Sequence, residues 1–235
     1  MGNSWFQFQQ FRIEQDRCAM KVSTDSVLLG TLVREKSPKK ILDVGTGTGV
    51  VALILAQRFP KAQVQAVELD EEAANQAAEN FANSPFSNRL KLVEGRFQEF
   101  PEKEQVDLLV SNPPYFPNHL KARDPRRNQA LHTDELSFWE LLEKAGKLLS
   151  EEGSLWVILP PAQMKEFEVL AARQSLFPKK LVSVKDSAGS RVIRQVLQFQ
   201  RKIELKVQEE LILKEGDGSF SRSYSRLISG FLLGF

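Results

Sequence analysis

Short apolar runs alternate with amphipathic stretches along most of this chain. Ile41-Leu42-Asp43-Val44 reads as a buried strand, and Val50 to Ala56 has helical length and composition. Gln63 to Val67 is a second strand, and Glu71 to Asn83 gathers Ala73, Ala74, Ala77, Ala78 and Phe81 on one helical face. Leu90 to Val93 and Val106 to Ser111 give a third and a fourth strand. Leu136 to Leu149 is predicted to be an amphipathic helix with Trp139, Leu142, Ala145 and Leu149 inward. Ser154 to Leu159 is a fifth strand, stopped by Pro160-Pro161, and Met164 to Arg173 a helix. Lys180 to Lys185 and Val192 to Phe199 are two strands close enough to pair through a loop, and Lys202 to Leu213 reads as a further strand region. Such alternation predicts the α/β class with a doubly wound, mostly parallel sheet.

Residues 1–30 precede that pattern. Phe6, Phe8 and Phe11, with Gln7, Gln9 and Gln10 between them, predict a short extended or hairpin segment. We expect an N-terminal extension or lid over 1–30 and one main domain over 31–235.

Two interruptions of the pattern carry chemistry. The first is Gly45-Thr46-Gly47-Thr48-Gly49, between a strand and a helix, where bare backbone can approach a ligand. Its G-x-G-x-G spacing is one residue short of the dinucleotide fingerprint, and no lysine follows to make a phosphate loop. Glu68 closes the next strand about twenty residues on, where a carboxylate that takes two ribose hydroxyls belongs; it would repel a 2′-phosphate.

The second is Asn112-Pro113-Pro114-Tyr115, at the end of the fourth strand. Two prolines cannot continue a ladder, so they lock a bend that lifts Asn112 and Tyr115 off the sheet tip. An amide oxygen, a proline-fixed carbonyl and a flat aromatic suit a planar amino group conjugated to a ring or a carbonyl. A plain strand-ending turn would use the same residue types. Lys121, Arg123, Arg126 and Arg127 follow as a basic cluster suited to phosphates beside a splayed base, with a solvated charged loop as the bland alternative.

Asp43 to Gly49, Glu68 and Asn112 to Tyr115 together resemble the S-adenosylmethionine-dependent methyltransferases that carry an amino-methylating signature. Met20 to Gly30, Asp124 to Ala130 and Asp217 to Tyr224 extend the resemblance to one bacterial subfamily, the tRNA-valine adenine-N6 methyltransferases. The resemblance implies a Rossmann-like methyltransferase fold with a seven-stranded sheet. It also implies S-adenosyl-L-methionine as cofactor and a tRNA substrate methylated at the adenine 3′ of the anticodon. By position it assigns the cofactor to Lys21, Thr24, Asp25, Asp43, Gly45, Thr46, Gly47, Gly49, Glu68, Leu69, Phe97 and Asn112. Catalysis falls to Asn112, Pro113, Pro114 and Tyr115. The RNA falls to Tyr115, Lys121, Arg123, Arg126 and Arg127. One position departs from the pattern: where the family often has an acid that accepts from the cofactor's adenine, this chain has Glu94-Gly95-Arg96-Phe97. Arg96 has no acceptor, so that contact would fall to Phe97, through its backbone N–H or its ring.

Composition narrows the alternatives. The 235 residues are 42% hydrophobic, enough for one full core. Lys+Arg 32 against Asp+Glu 30 leaves any RNA contact to local clusters. A single cysteine, Cys18, excludes an internal disulfide, and two histidines, His119 and His132, argue against a metal site. No run is long and apolar enough for a membrane, and no signal-peptide pattern opens the chain, so a cytoplasmic protein is expected. The residues do not fix the oligomeric state; a monomer is favoured. A glutamine-N5 protein methyltransferase and a guanine-N2 RNA methyltransferase share the signature's logic. A silent RNA-binding module is the reading from another class.

Overall fold

The computed structural model describes residues 3–102, 104–114 and 136–235. A hairpin of β1 (Trp5–Gln7) and β2 (Arg12–Glu14) opens the fold. The chain then runs α1 (Thr24–Leu32), β3 (Lys40–Val44), α2 (Val50–Arg58), β4 (Gln63–Glu68), α3 (Glu71–Ala82), β5 (Leu90–Glu94) and β6 (Val106–Ser111). From residue 136 onward come α4 (Phe138–Leu148), β7 (Leu149–Leu159), α5 (Pro161–Arg173), β8 (Phe177–Ser187), β9 (Val192–Gln200), β10 (Val207–Lys214) and α6 (Arg222–Ile228).

The main sheet has the order β10-β8-β9-β7-β6-β3-β4-β5. Only β9 runs antiparallel to its neighbours, β7 and β8. Among the described residues this sheet has eight strands where seven were expected; β10 adds an edge, parallel to β8. From β3 the chain winds outward through β4 and β5, then returns to β6 on the other side of β3. That reversal opens a crevice at the carboxyl ends of β3 and β6. Register sets those ends level, with Val44 beside Val67 on one side and Ser111 on the other.

Strand alternation splits the core in two. Ile41, Leu108, Val110, Trp156 and Ile158 face α1, α2 and the hairpin, while Leu42, Val44, Leu109, Leu155 and Val157 face α4 and α5. Helix α1 is capped by Ser23 in a reciprocal box with Ser26 and is buried from Ser26 to Leu32. It lies so close to α2 that a Cβ on Gly30 would sit 2.8 Å from Ile54 Cγ2.

The hairpin is part of the main core. Phe8, Phe11 and Ile13 are buried in the first cluster, and Asn80 of α3 exchanges two 2.9 Å hydrogen bonds with the Glu14 backbone. The same Asn80 amide donates to the Thr48 carbonyl at 2.9 Å, so the hairpin reaches the glycine turn through one side chain.

Two expectations change. Trp139 is 41% exposed, not inward, because the apolar stripe of α4 runs through Leu141, Leu142, Ala145 and Leu148 and leaves Trp139 on the far flank. Helix α5 starts at Pro161 rather than Met164, since a proline at the first helical position forfeits an N–H that has no intrahelical partner there.

Candidate active site

The turn between β3 and α2 is built on backbone that only glycine takes without strain. Gly45, Gly47 and Gly49 have φ of 71°, 55° and 83°. Gly45 and Thr46 N–H groups donate to the Val67 carbonyl at 2.9 and 3.2 Å, which fastens the turn to β4. Beneath it lies Asp43, whose Oδ2 accepts the Thr46 hydroxyl at 2.6 Å and the Ala52 N–H at 3.1 Å. Burial pushes the Asp43 carboxyl up, these two bonds oppose the rise and the nearby Glu68 charge adds to it, leaving the carboxyl at about 7.

Glu68 stands at the tip of β4 and takes three backbone donors. Its Oε2 accepts from Gly47 at 2.8 Å, and Oε1 from Leu69 and Asp70 at 2.9 and 3.0 Å. Each carboxylate oxygen has about two acceptor positions, so Oε2 keeps one for a hydroxyl beside the turn. Asp70 then caps α3 through the Ala73 N–H at 2.8 Å.

At the tip of β6, the Ser111 hydroxyl donates to the Val44 carbonyl at 3.0 Å. This bond ties the end of β6 to the end of β3, immediately before Asn112. A cavity of about 510 Å³ opens there. One wall is Gly45 to Thr48 with Asp43 at its base, a second is Asn112-Pro113-Pro114, and a third is the segment around Lys21, Ser23 and Asp25. These three stretches, distant in sequence, share one space at the switch point. Another cavity, about 540 Å³, opens against Gln63, Gln65, Lys91 and Phe100 and includes no residue of these motifs.

The expected cofactor residues fall into groups. Lys21, Asp25, Asp43, Gly45, Thr46, Gly47 and Asn112 line the cavity. Thr24, Gly49, Glu68, Leu69 and Phe97 do not, although Glu68 is bonded to Gly47 and Gly49 caps α2. The Phe97 ring is buried in the second core cluster 6.4 Å from Phe100, in a single 3₁₀ turn that Arg96 precedes. Tyr115, Lys121, Arg123, Arg126 and Arg127, with His119 and His132, lie outside the described residues.

Of the cavity residues that the sequence did not single out, Arg194 is the charged one. Arg194, from β9, lines the space with Asn112, and its Nε donates to Asp25 Oδ2 at 2.6 Å. A charged residue inside the strand run Val192 to Phe199, whose other polar members are the uncharged Gln195 and Gln198, is the signal that could have marked it.

The cavity accommodates the implied cofactor. A Cβ added at Gly45 or Gly47 would meet nothing within 4 Å, so the turn offers bare backbone to open space, with a carboxylate acceptor beside it. The volume falls in the range of small-molecule sites. Among the described residues no group of His, Cys, Asp or Glu could hold a metal ion, and no helix is long and apolar enough to cross a membrane.

Sheet order, glycine turn, strand-tip acid and proline corner together define an S-adenosylmethionine-dependent methyltransferase of Rossmann-like fold. The family model described as methyltransferase small domain matches residues 18–175. A tRNA1(Val) (adenine(37)-N6)-methyltransferase from Pedobacter heparinus is 40% identical over 230 residues, 98% of each chain. One of the same name from Flavobacterium psychrophilum is 41% identical over 231 residues, covering 97% of this chain and 99% of its own. The chain belongs to this methyltransferase small domain family, in the branch these two relatives represent. Among solved structures, a predicted O-methyltransferase from Agrobacterium tumefaciens superposes with a TM-score of 0.68 at 21% identity, over 88% of this chain and 96% of that one. A methyltransferase from Pyrococcus furiosus gives 0.55 at 22% identity, over 75% and 80%. At such identities they speak to the fold alone.

Proposed function

We propose that the protein transfers a methyl group from S-adenosylmethionine to the exocyclic N6 of an adenine in tRNA, the adenine 3′ of the anticodon of a valine tRNA. The observation that carries this reading is the tether of Ser111 to Val44, which sets Asn112-Pro113 and the glycine turn on one cavity. The relatives' substrate supports it.

When bound, the cofactor supplies a sulfonium methyl that needs no activation by the protein. Gly45, Gly47 and Glu68 would hold its nucleoside part, and the Lys21–Asp25 wall its amino-acid end. What remains for the chain is to prepare a poor nucleophile, an amino nitrogen whose lone pair is delocalised into its ring. The Asn112 side-chain oxygen and the Pro113 carbonyl each accept one N–H. Together they turn the nitrogen lone pair toward the reacting carbon and favour a pyramidal nitrogen. The gain is mostly positional, with acceptor dipoles stabilising the positive charge that grows on nitrogen. Neither group is a base; the proton on the methylated nitrogen is acidic enough to leave to water. Tyr115 stacks on the base, and Lys121, Arg123, Arg126 and Arg127 hold flanking phosphates.

The test uses labelled cofactor with an unmodified valine tRNA transcript, the same transcript with guanine replacing the target adenine, and a protein extract. Label on the first alone is expected. Label on the guanine transcript would move the target nucleotide, and label on protein alone would overturn the RNA substrate.

A further inference from the structure

The ion pair between Arg194 and Asp25 joins two elements across the cavity. Asp25 lies in the first turn of α1, two residues after the Ser23 cap, where a negative charge suits the helix N-terminus. Arg194 lies on β9, 169 residues away. The side chains are 18% and 28% exposed, so the pair is partly withdrawn from water, and the Arg194 Nη1 also donates to the Ile193 carbonyl at 2.8 Å, which pins the guanidinium to its own strand.

The rest of α1 has other anchors. Its body is clasped against α2 at Gly30 and Ile54. Its first turn is different, because Ser23 and Thr24 are exposed and the preceding wall has hydrogen bonds of its own. These include Lys21 Nζ to the Asn3 carbonyl at 3.2 Å and the Val22 N–H to Gln15 Oε1 at 2.9 Å. Both members of the ion pair line the same cavity as Asn112 and Gly47.

We propose that Arg194 is a positioning residue: through Asp25 it fixes the first turn of α1 and so the distance between the Lys21–Asp25 wall and the Asn112 corner. The inference rests on reading this cavity as the S-adenosylmethionine site. Loss of the pair removes this tie between β9 and the first turn of α1 and loosens the wall. The cofactor must then order that wall on binding, which weakens affinity while chemistry at saturation is spared.

Calorimetric titration of S-adenosylmethionine into the whole protein tests this, with thermal melting of each variant alongside. Arg194→Met and Asp25→Asn are each expected to weaken binding about tenfold. The double variant is expected to be no weaker than either single one, because both remove the same contact. Arg194→Lys should bind within about threefold of the wild type, since a lysine can still pair with the carboxylate. In turnover with saturating cofactor, kcat of Arg194→Met should stay within about threefold while the cofactor KM rises. Multiplied losses in the double variant would overturn the proposal. So would unchanged affinity in Arg194→Met, or an Arg194→Lys variant that melts like the wild type yet binds like Arg194→Met, which would put the guanidinium on the ligand itself. If wild-type protein bound no cofactor, the reading of the cavity would fall instead.

Discussion

The Glu68 carboxylate accepts the Gly47 N–H at 2.8 Å, so one side chain at the tip of β4 reaches into the turn that follows β3. The bond does two things. It holds the middle glycine of the turn in place, and it sets an acceptor oxygen beside Gly47. Glu68→Gln keeps the shape but replaces one oxygen with an NH2, which faces either the Gly47 N–H or the Leu69 and Asp70 pair. A donor is then set against a donor. Hydrogen bonds to a charged group are worth about 1.5–3 kcal/mol, so cofactor affinity should fall by roughly ten- to a hundredfold. Calorimetry would read this directly, and unchanged affinity would mean that the ribose lies elsewhere.

Asn112 is asked only for an acceptor oxygen in the transition state. Asn112→Ala removes it without touching the glycine turn, whose fastening runs through Val67, Asp43 and Glu68. The single-turnover rate on tRNA should drop by about 10²–10³-fold, the loss typical of a removed electrostatic contact. Cofactor affinity should move by no more than about threefold, since binding that is equal in ground and transition states is not what Asn112 supplies. Equal loss of both would assign Asn112 a structural role in the cavity wall.

What could be read from the residues was what is local. The glycine turn, Glu68 and the proline corner announce themselves by turn chemistry and by spacing within one βα unit. The long-range pairs do not. Nothing near Asp25 in the chain points to Arg194, and only the folded sheet brings β9 against α1. Strand β10 illustrates another limit. Val207 to Glu210 are all exposed, so no apolar alternation marks the first half of the strand. The ladder with β8 makes it a strand, helped by Lys180–Glu209 at 2.7 Å and Lys185–Glu210 at 2.6 Å across the two strands of that edge. Phe97 shows the reverse case. The family resemblance offers it as a contact for the cofactor's adenine, through backbone or ring, while the ring itself packs with Phe100 in the core.

Gly49 and Gly45 share a left-handed backbone and differ in their surroundings. A Cβ on Gly49 would lie 2.5 Å from Phe81 Cε1, in a buried ring that cannot swing away freely. A Cβ on Gly45 would meet nothing within 4 Å. Gly45→Ala should therefore carry the conformational cost alone, about 1–2 kcal/mol. Gly49→Ala should carry that and a steric cost of about 1–3 kcal/mol more. Urea midpoints give the order. Adding Phe81→Leu to Gly49→Ala should recover part of the steric share and none of the backbone share. Equal destabilisation by the two alanines would mean that the Phe81 contact relaxes at no cost.

Asp43 makes stability depend on pH in an unusual direction for a carboxylate. Burial raises it to about 7 in the native state, against about 3.9 in an unfolded chain. Between those values the unfolded chain has lost a proton that the native chain still holds. Folding is then opposed more strongly as pH rises from about 4 to about 7, and the effect levels off above that, where both states are charged. Asp43→Asn has nothing to titrate, yet its oxygen can stand where Oδ2 now takes both the Thr46 hydroxyl and the Ala52 N–H. Measured as a difference between variant and wild type, the contributions of all other carboxylates cancel. The variant should gain steadily on the wild type between pH 4.5 and 7 and hold its lead above pH 8. A difference that stays flat over that range would show that the Asp43 carboxyl is ionised throughout, with the brace under the glycine turn formed by a full charge.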